Sequence, residues 1–341
     1  MLDQLASKRA ILQAGVALRS LAVIAAASLA AGYFNVAIAQ PKVELRAADV
    51  HPDGYPTVAA VVNMGKKLEK ATNGRISIKM FPNSVLGDEK AMIEQTEAGA
   101  IDIARISLGA LGAVVPDVNV FNMPFVFRDE AQMRAVIDGP IGTEILDKIT
   151  ASPVNLVGLG FMDGGTRNLY ADKAITKPGD LQGMKFRMMG NPLFIDTMNA
   201  MGGTGIGMGF GEVYSALQTH VVDGAENNPP SFLSTNHYQV SKVYSLTGHL
   251  IIPEIFVFSK VKFDKLSAAD QALIRKFSRE AQLEQRALWD QSVADATTKL
   301  KAAGVKFVVV DKKPFYDATA PIRAKYGAPY VALMKRIEAT K

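Results

Sequence analysis

Residues 75–106, RISIKMFPNSVLGDEKAMIEQTEAGAIDIARI, decide the fold class. RISIKMF alternates apolar and polar side chains, the period-two pattern of a strand with one buried face. Pro82-Asn83-Ser84 breaks it. Asp88 stands where a helix cap belongs, its carboxylate able to accept from first-turn amides, and the helix it opens should run through Ala98. Residues 101–106 read as the next strand. Towards the N-terminus, VELRAADV (43–50) is a strand candidate and HPDGYP (51–56) a turn. A helix is expected over 57–71, where Val58, Val61, Val62, Met64 and Leu68 recur near helical spacing and Asn73-Gly74 ends the run. Strand, helix, strand, helix, strand is the βαβ rhythm of a parallel sheet.

Beyond a stretch rich in Gly, Val and Pro (108–124), helices fit at 129–137 and 140–151, and a long apolar strand at 154–162. Asp163-Gly164-Gly165-Thr166-Arg167-Asn168 follows that strand. A second α/β region then begins, with KFRMM (185–189) as a strand and 192–201 as a helix. GGTGIGMGFG (202–211) reads as a flexible turn; its glycines alternate, and the spacing of a nucleotide loop is not completed. A helix over 212–219 and strands at 221–225, 242–247 and 254–260 come next. From 268 to 303 there is no Pro or Gly, and a helix that long would span roughly 50 Å. It reads as a brace across two lobes, with a coiled-coil partner surface as the alternative. The tail adds VKFVVV (305–310) and two helices. The expected architecture is α/β and two-lobed: residues 40–164 with about 253–290, and 165–252 with about 291–341. The ligand cleft of such a protein lies between the lobes, outside the carboxyl ends of strands.

The chain has 341 residues, about half of them apolar and a fifth charged, as in ordinary globular proteins. It holds no cysteine, which excludes disulfides, thiolate nucleophiles and Cys-ligated zinc. Lys8, Arg9 and Arg19 precede the apolar run LAVIAAASLAA (21–31), and Ala37-Ile38-Ala39 precedes Gln40. That order is a signal peptide cleaved after Ala39, implying export to the periplasm; the alternative, a membrane anchor, has a short apolar core. Without 1–39 the excess of positive charge is only +3, and no basic block interleaved with aromatics points to nucleic acid.

Enzyme signals are weak. The four histidines, His51, His220, His237 and His249, show no HExxH spacing, and neither a GxSxG elbow nor a GxxxxGK loop occurs. No metal, cofactor or catalytic group is expected. More informative are polar residues at strand ends. Arg187 sits inside the apolar strand KFRMM, and a buried cation must be paired. An internal salt bridge to Glu226 or Asp223 would satisfy it; so would the carboxylate of a ligand, which a guanidinium engages through two bonds.

The order GTRN (165–168), GMKFRMM (183–189) and GFGEVYSALQTHVVDGAENN (209–228), with FPNSVLGDEKAMIEQTEAGAIDIAR (81–105), resembles the solute-binding receptor of TRAP transporters over essentially the whole mature chain. The resemblance implies two lobes that close on an organic acid and a long bracing helix. It puts Arg187 and Arg167 on the ligand carboxylate, Asn227 in ligand contact and Phe210 against the ligand. Glu226 then braces a neighbouring arginine, and Asp223 is structural. ADVHPDGYPTV (48–58) is similar to receptors for hexuronates such as glucuronate and galacturonate, which implies roles for His51, Glu89 and Arg105. The alternative for His51 is a turn-capping or solvent-facing role, and for Glu89 a helix N-terminal acid stabilised by the dipole. Plain dicarboxylates, aldonates and keto acids stay open as ligands, as does an exported sugar-acid enzyme. Asn228 and Asn168 depart from the usual pattern and could alter ligand choice. The implied partner is a TRAP permease in the membrane.

Overall fold

A computed structural model describes residues 41–341, so the leader expected over 1–39 lies outside the described residues. The predicted βαβ opening is present: β1 (Val43–Ala48), α1 (Pro56–Ala71), β2 (Ile76–Phe81), α2 (Glu89–Glu97) and β3 (Ile103–Ser107). The Asp88 side chain accepts from the Ala91 amide and caps α2 as expected. α3 (Glu130–Asp138) and α4 (Pro140–Ala151) lead to β4 (Leu156–Met162), which is buried at every position.

The second region holds β5 (Thr166–Ala171), β6 (Lys185–Met188), α5 (Pro192–Ala200), β7 (Thr204–Gly207), α6 (Val213–Gln218) and β8 (Gly224–Asn227). α7 (Pro229–Ser234) and β9 (Val243–Ile251) follow. β10 (Glu254–Ser259), α8 (Ala268–Ala302), β11 (Lys306–Val308) and α9 (Val331–Ala339) complete the elements used below. Among the described residues no helix is long and apolar enough to cross a membrane.

Two sheets result, in the orders β2-β1-β3-β10-β4 and β11-β9-β5-β8-β6-β7. The parallel rhythm covers β1, β2 and β3 and then fails: β10 runs antiparallel to both β3 and β4. β10 enters from the other sheet through only Ile252 and Pro253, so it arrives running against its neighbours. In the second sheet β5 is antiparallel to β8 and β9, while β6 is parallel to β7 and β8.

Three local readings are corrected. The strand expected at 221–225 lies at Gly224–Asn227, and Val221 is exposed. α6 runs on to Gln218, and the Val221 and Val222 amides fold back onto the Ala216 carbonyl through a left-handed His220. Pairing with β5 and β6 overrides the β-branched preference of the valines. The segment after β4 carries a strand that had not been expected, β5, and Arg167 lies within it. The glycine run is not a free turn, since Thr204–Gly207 is an edge strand. A Cβ on Gly205 would stand 2.8 Å from the Ile195 carbonyl oxygen, so glycine is what lets α5 lie against this edge.

The long helix is α8, 35 residues from a Ser267 cap. Its first half buries Ile274, Phe277 and Ala281 in a core with Leu45, Met64, Ile103 and Val157. Its far end buries Leu300 with Tyr170, Phe232 and Tyr244 of the second region. Between them Gln282 accepts from the Phe161 amide at 3.0 Å, and Gln285 bonds both the amide and the carbonyl of Asp163. α8 therefore holds β4 and the link from β4 to β5. At the chain's end, α9 returns to the first region: the Gln132 amide donates to the Ile337 carbonyl, and Arg336 pairs with Glu144.

In that link Gly165 has φ +67°, and a Cβ there would stand 2.7 Å from Cζ2 of the buried Trp289 on α8. Gly165→Ala should therefore destabilise the protein by about 1–3 kcal/mol. Gly211→Ala, which meets open space, should change stability by under about 0.5 kcal/mol. Urea denaturation of the two variants measures the difference.

Candidate functional site

Arg105 is paired with three carboxylates, more than any other cation among the described residues. It projects from β3 with 1% of its surface exposed. Its Nη1 donates to Glu254 at 2.7 Å and to Glu89 at 3.1 Å, and its Nη2 pairs with Asp49. Asp49, just past β1, also accepts from the Thr57 hydroxyl and the His51 amide. Burial alone would raise its pKa, but Arg105 and His51 hold it well below the usual carboxylate range. Glu89, the first residue of α2, accepts from the Ser107 amide at 2.7 Å. It serves the helix N-terminus and the cluster together.

His51 lies flat on Tyr55, with ring centroids 3.8 Å apart. Its Nδ1 is 2.9 Å from Asp49 Oδ1 and 2.8 Å from Arg105 Nη2, and its Nε2 is 3.4 Å from the Ser231 hydroxyl. Burial, then the Arg105 charge, lowers its pKa, so the ring is neutral at physiological pH.

Arg167 is braced by Glu226, which takes its Nε and Nη2, while its Nη1 donates to Asn227 Oδ1 at 2.9 Å. Glu226 is thus the brace the sequence reading assigned, and its partner is Arg167. Asn227 Oδ1 also accepts from the Asn228 amide. Its own amide nitrogen has no hydrogen-bond acceptor among the described residues.

Arg187 is different. It projects from β6, is buried, and donates Nε and Nη2 to a single acceptor, the Met208 carbonyl, at 3.0 and 2.8 Å. Its guanidinium carbon lies 6.0 Å from the Phe210 ring centroid. Among the described residues it forms no ion pair. The internal salt bridge to Glu226 or Asp223 is not made: Glu226 is committed to Arg167, and Asp223 is exposed, bonding the Lys185 amide ahead of β8. Burial pushes the pKa of Arg187 down, though a guanidinium stays charged.

These groups meet at one small cavity of about 20 Å³, room for a single water molecule, so a larger ligand enters only when its walls part. His51, Glu89, Arg105, Arg167, Arg187, Phe210 and Asn227 all line it, so every residue singled out for ligand contact is brought together. Asp223 and Glu226 are not in the lining. Val50, Ser107, Met189, Ser231 and Glu254 line it too and were missed. Glu254 had a signal, an acid inside the apolar run IIPEIFVF, of the same kind that marked Arg187. Ser231 had none. The two departures from the family pattern lie outside the lining. Asn228 caps α7 and donates to the Gly164 carbonyl, and Asn168 accepts from the Gly248 amide where β5 and β9 shift register.

The chain matches the bacterial extracellular solute-binding proteins of family 7 over residues 47–328. It is similar to a TRAP periplasmic solute-binding protein of Pseudomonas putida with bound D-glucuronate, at 61% identity and a TM-score of 0.87, covering 87% of this chain and 97% of that one. A Bradyrhizobium counterpart in complex with α/β-D-galacturonate is 42% identical, with a TM-score of 0.85 and coverage of 87% and 100%. A Citrobacter koseri receptor with bound D-glucuronate is 52% identical, with a TM-score of 0.86 and coverage of 87% and 99%. Against the apo, open structure of the same receptor the identity is 51%, the TM-score 0.77 and the coverage 86% and 98%. The conformation described here is therefore nearer to the ligand-bound form than to the open one.

Glu226→Ala would leave Arg167 buried without its counterion. The variant should lose about 3–5 kcal/mol of unfolding free energy, read by urea denaturation.

Proposed function

The chain belongs to family 7 of the bacterial extracellular solute-binding proteins, as a receptor of the TRAP type, and we propose that its cavity holds a hexuronate, D-glucuronate or D-galacturonate. The observation that carries this is Arg187, a buried cation facing the cavity with no carboxylate of its own. Burying such a charge unpaired costs several kcal/mol, and an anionic ligand removes that cost. Arg105, Arg167, His51 and Glu89 already have partners within the protein, while the Asn227 amide is free to meet a ligand.

In this reading the ligand carboxylate forms a two-pronged pair with Arg187 and a further bond to Arg167, which Glu226 aims. The free amide of Asn227, with His51, Glu89 and Arg105, meets the sugar oxygens. Phe210 covers a ring face. His51 is neutral and wedged between Tyr55, Asp49 and Arg105, an environment that suits a positioned hydrogen-bond partner more than a proton shuttle. The site therefore holds its ligand without altering it, and the closed receptor delivers it to a membrane permease. The proposed lobes are 40–164 with about 253–290 and 165–252 with about 291–341, joined by α8, except that the bonds of α9 to Gln132 and Glu144 favour the first lobe for 331–339. The mature protein starts at Gln40 in the periplasm, which N-terminal sequencing of the exported protein tests.

A charge-assisted bond contributes about 1.5–3 kcal/mol, so Arg187→Ala should weaken uronate binding ten- to hundredfold. Arg187→Lys should recover only part of it, because an ammonium cannot make the paired bonds. Titration calorimetry reads both, and unchanged affinity in the alanine variant would remove the carboxylate clamp.

A thermal-shift screen over uronates, aldonates, dicarboxylates and keto acids tests the ligand class. A ligand at about 100 times its Kd stabilises by about 2.7 kcal/mol, and the two uronates should give the largest upward shifts. Recovery of a uronate chemically unaltered after incubation supports a receptor; a changed product would favour an exported enzyme.

A further inference from the structure

Glu254 opens β10 at the cavity wall and is 5% exposed. Its Oε2 accepts from Arg105 Nη1 at 2.7 Å. Its Oε1 receives no hydrogen bond among the described residues and lies beside Gly164, where a Cβ would come within 2.8 Å of it. The glycine leaves that oxygen room.

Charge and hydrogen bonding around it are unequal. Three carboxylates, Asp49, Glu89 and Glu254, share the single guanidinium of Arg105. Asp49 accepts from Arg105, Thr57 and the His51 amide, and Glu89 from Arg105 and the Ser107 amide. Glu254 has one donor, and so it is the member of the three that gains most by keeping a proton. Arg167 makes no hydrogen bond to it, being committed to Glu226, and opposes its protonation only through space. A bound uronate adds one more negative charge to a site where Arg105 and Arg167 already face Asp49, Glu89, Glu226 and Glu254, and only Arg187 is left to offset it.

We propose that Glu254 is a ligand-contacting residue that works as a neutral carboxylic acid, donating an O–H from Oε1 to an oxygen of the bound sugar acid, so that the receptor takes up its anion together with a proton from solvent. This rests on the uronate reading of the cavity. Burial, against the opposing pull of Arg105, pushes the Glu254 carboxyl up to about 7, which supports the geometry. The groups around it are Asp49 and His51 after β1, Tyr55 before α1, Glu89 on α2, Arg105 on β3 and Arg167 on β5. Asp163, after β4, is paired with Arg134. His51 is held below its ordinary pKa and stays neutral as the pH rises above 7.

The sign follows from linkage. Below about pH 7 the free receptor already carries the proton, and binding is insensitive to pH. Above it, binding must recruit the proton, and affinity for an anion that is ionised throughout falls by up to about tenfold per pH unit. Calorimetry of the mature protein with D-glucuronate and D-galacturonate, from about pH 6 to about pH 8.5 in two buffers of different ionisation enthalpy, reads affinity and proton uptake together. Uptake is expected near zero at the acid end, rising towards one proton per ligand at the alkaline end. Glu254→Gln, whose amide donates at any pH, should show a flat affinity profile and no proton uptake from about pH 6 to about pH 8.5, whatever its absolute affinity. Tight but pH-independent binding by the wild type, or an unchanged slope in Glu254→Gln, overturns the role of Glu254 and leaves the uronate reading standing. Absence of binding to either uronate at every pH overturns both.

Discussion

A guanidinium withdrawn from water needs a counterion at hand, and the cleft is organised around three solutions to that constraint. Arg105 is surrounded by Asp49, Glu89 and Glu254. Arg167 is locked to Glu226. Arg187 has only a backbone carbonyl and an aromatic neighbour. The first two arrangements are complete within the protein and therefore rigid. The third is completed from outside, and a buried cation without a counterion favours an anion.

Each compensation is made between elements far apart in the chain. Arg105 on β3 reaches Glu254 on β10, and Arg167 on β5 reaches Glu226 on β8. Those pairings depend on β10 being inserted antiparallel between β3 and β4, and on β8 lying between β5 and β6. The two sheets are in turn held by α8, whose Gln282, Gln285 and Trp289 fix β4 and the link into β5. Side chains on both sheets converge on one small cavity because that link is short and tightly packed.

The opening βαβ segment, the Asp88 cap and the long helix were legible because each rests on local rules: alternation, capping chemistry and an uninterrupted helical composition. Arg187 was legible because a charge inside an apolar run demands a partner. Glu254 carried the same signal in IIPEIFVF and passed unremarked. The strand at 221–225 was misplaced because two valines promised a strand while pairing placed it on Gly-Ala-Glu-Asn. The glycine run looked loose because its role, admitting α5 against an edge strand, is a contact with residues distant from the run itself. Asn168 and Asn228 looked like ligand-tuning departures and are hydrogen-bonded into the framework instead.

By itself the sequence determined the α/β class, the family and the residue types a carboxylate-holding site requires, since these follow from periodicity, composition and a long motif read in one dimension. Only the tertiary structure decided which arginine is left without a counterion. Glu226 was a candidate partner for Arg187 on sequence grounds and went to Arg167, because β5 pairs with β8 in a register that sets Leu169 opposite Glu226 and brings Arg167 beside it. Whether a buried charge is satisfied depends on distances of a few ångströms between strands that sequence order does not place side by side.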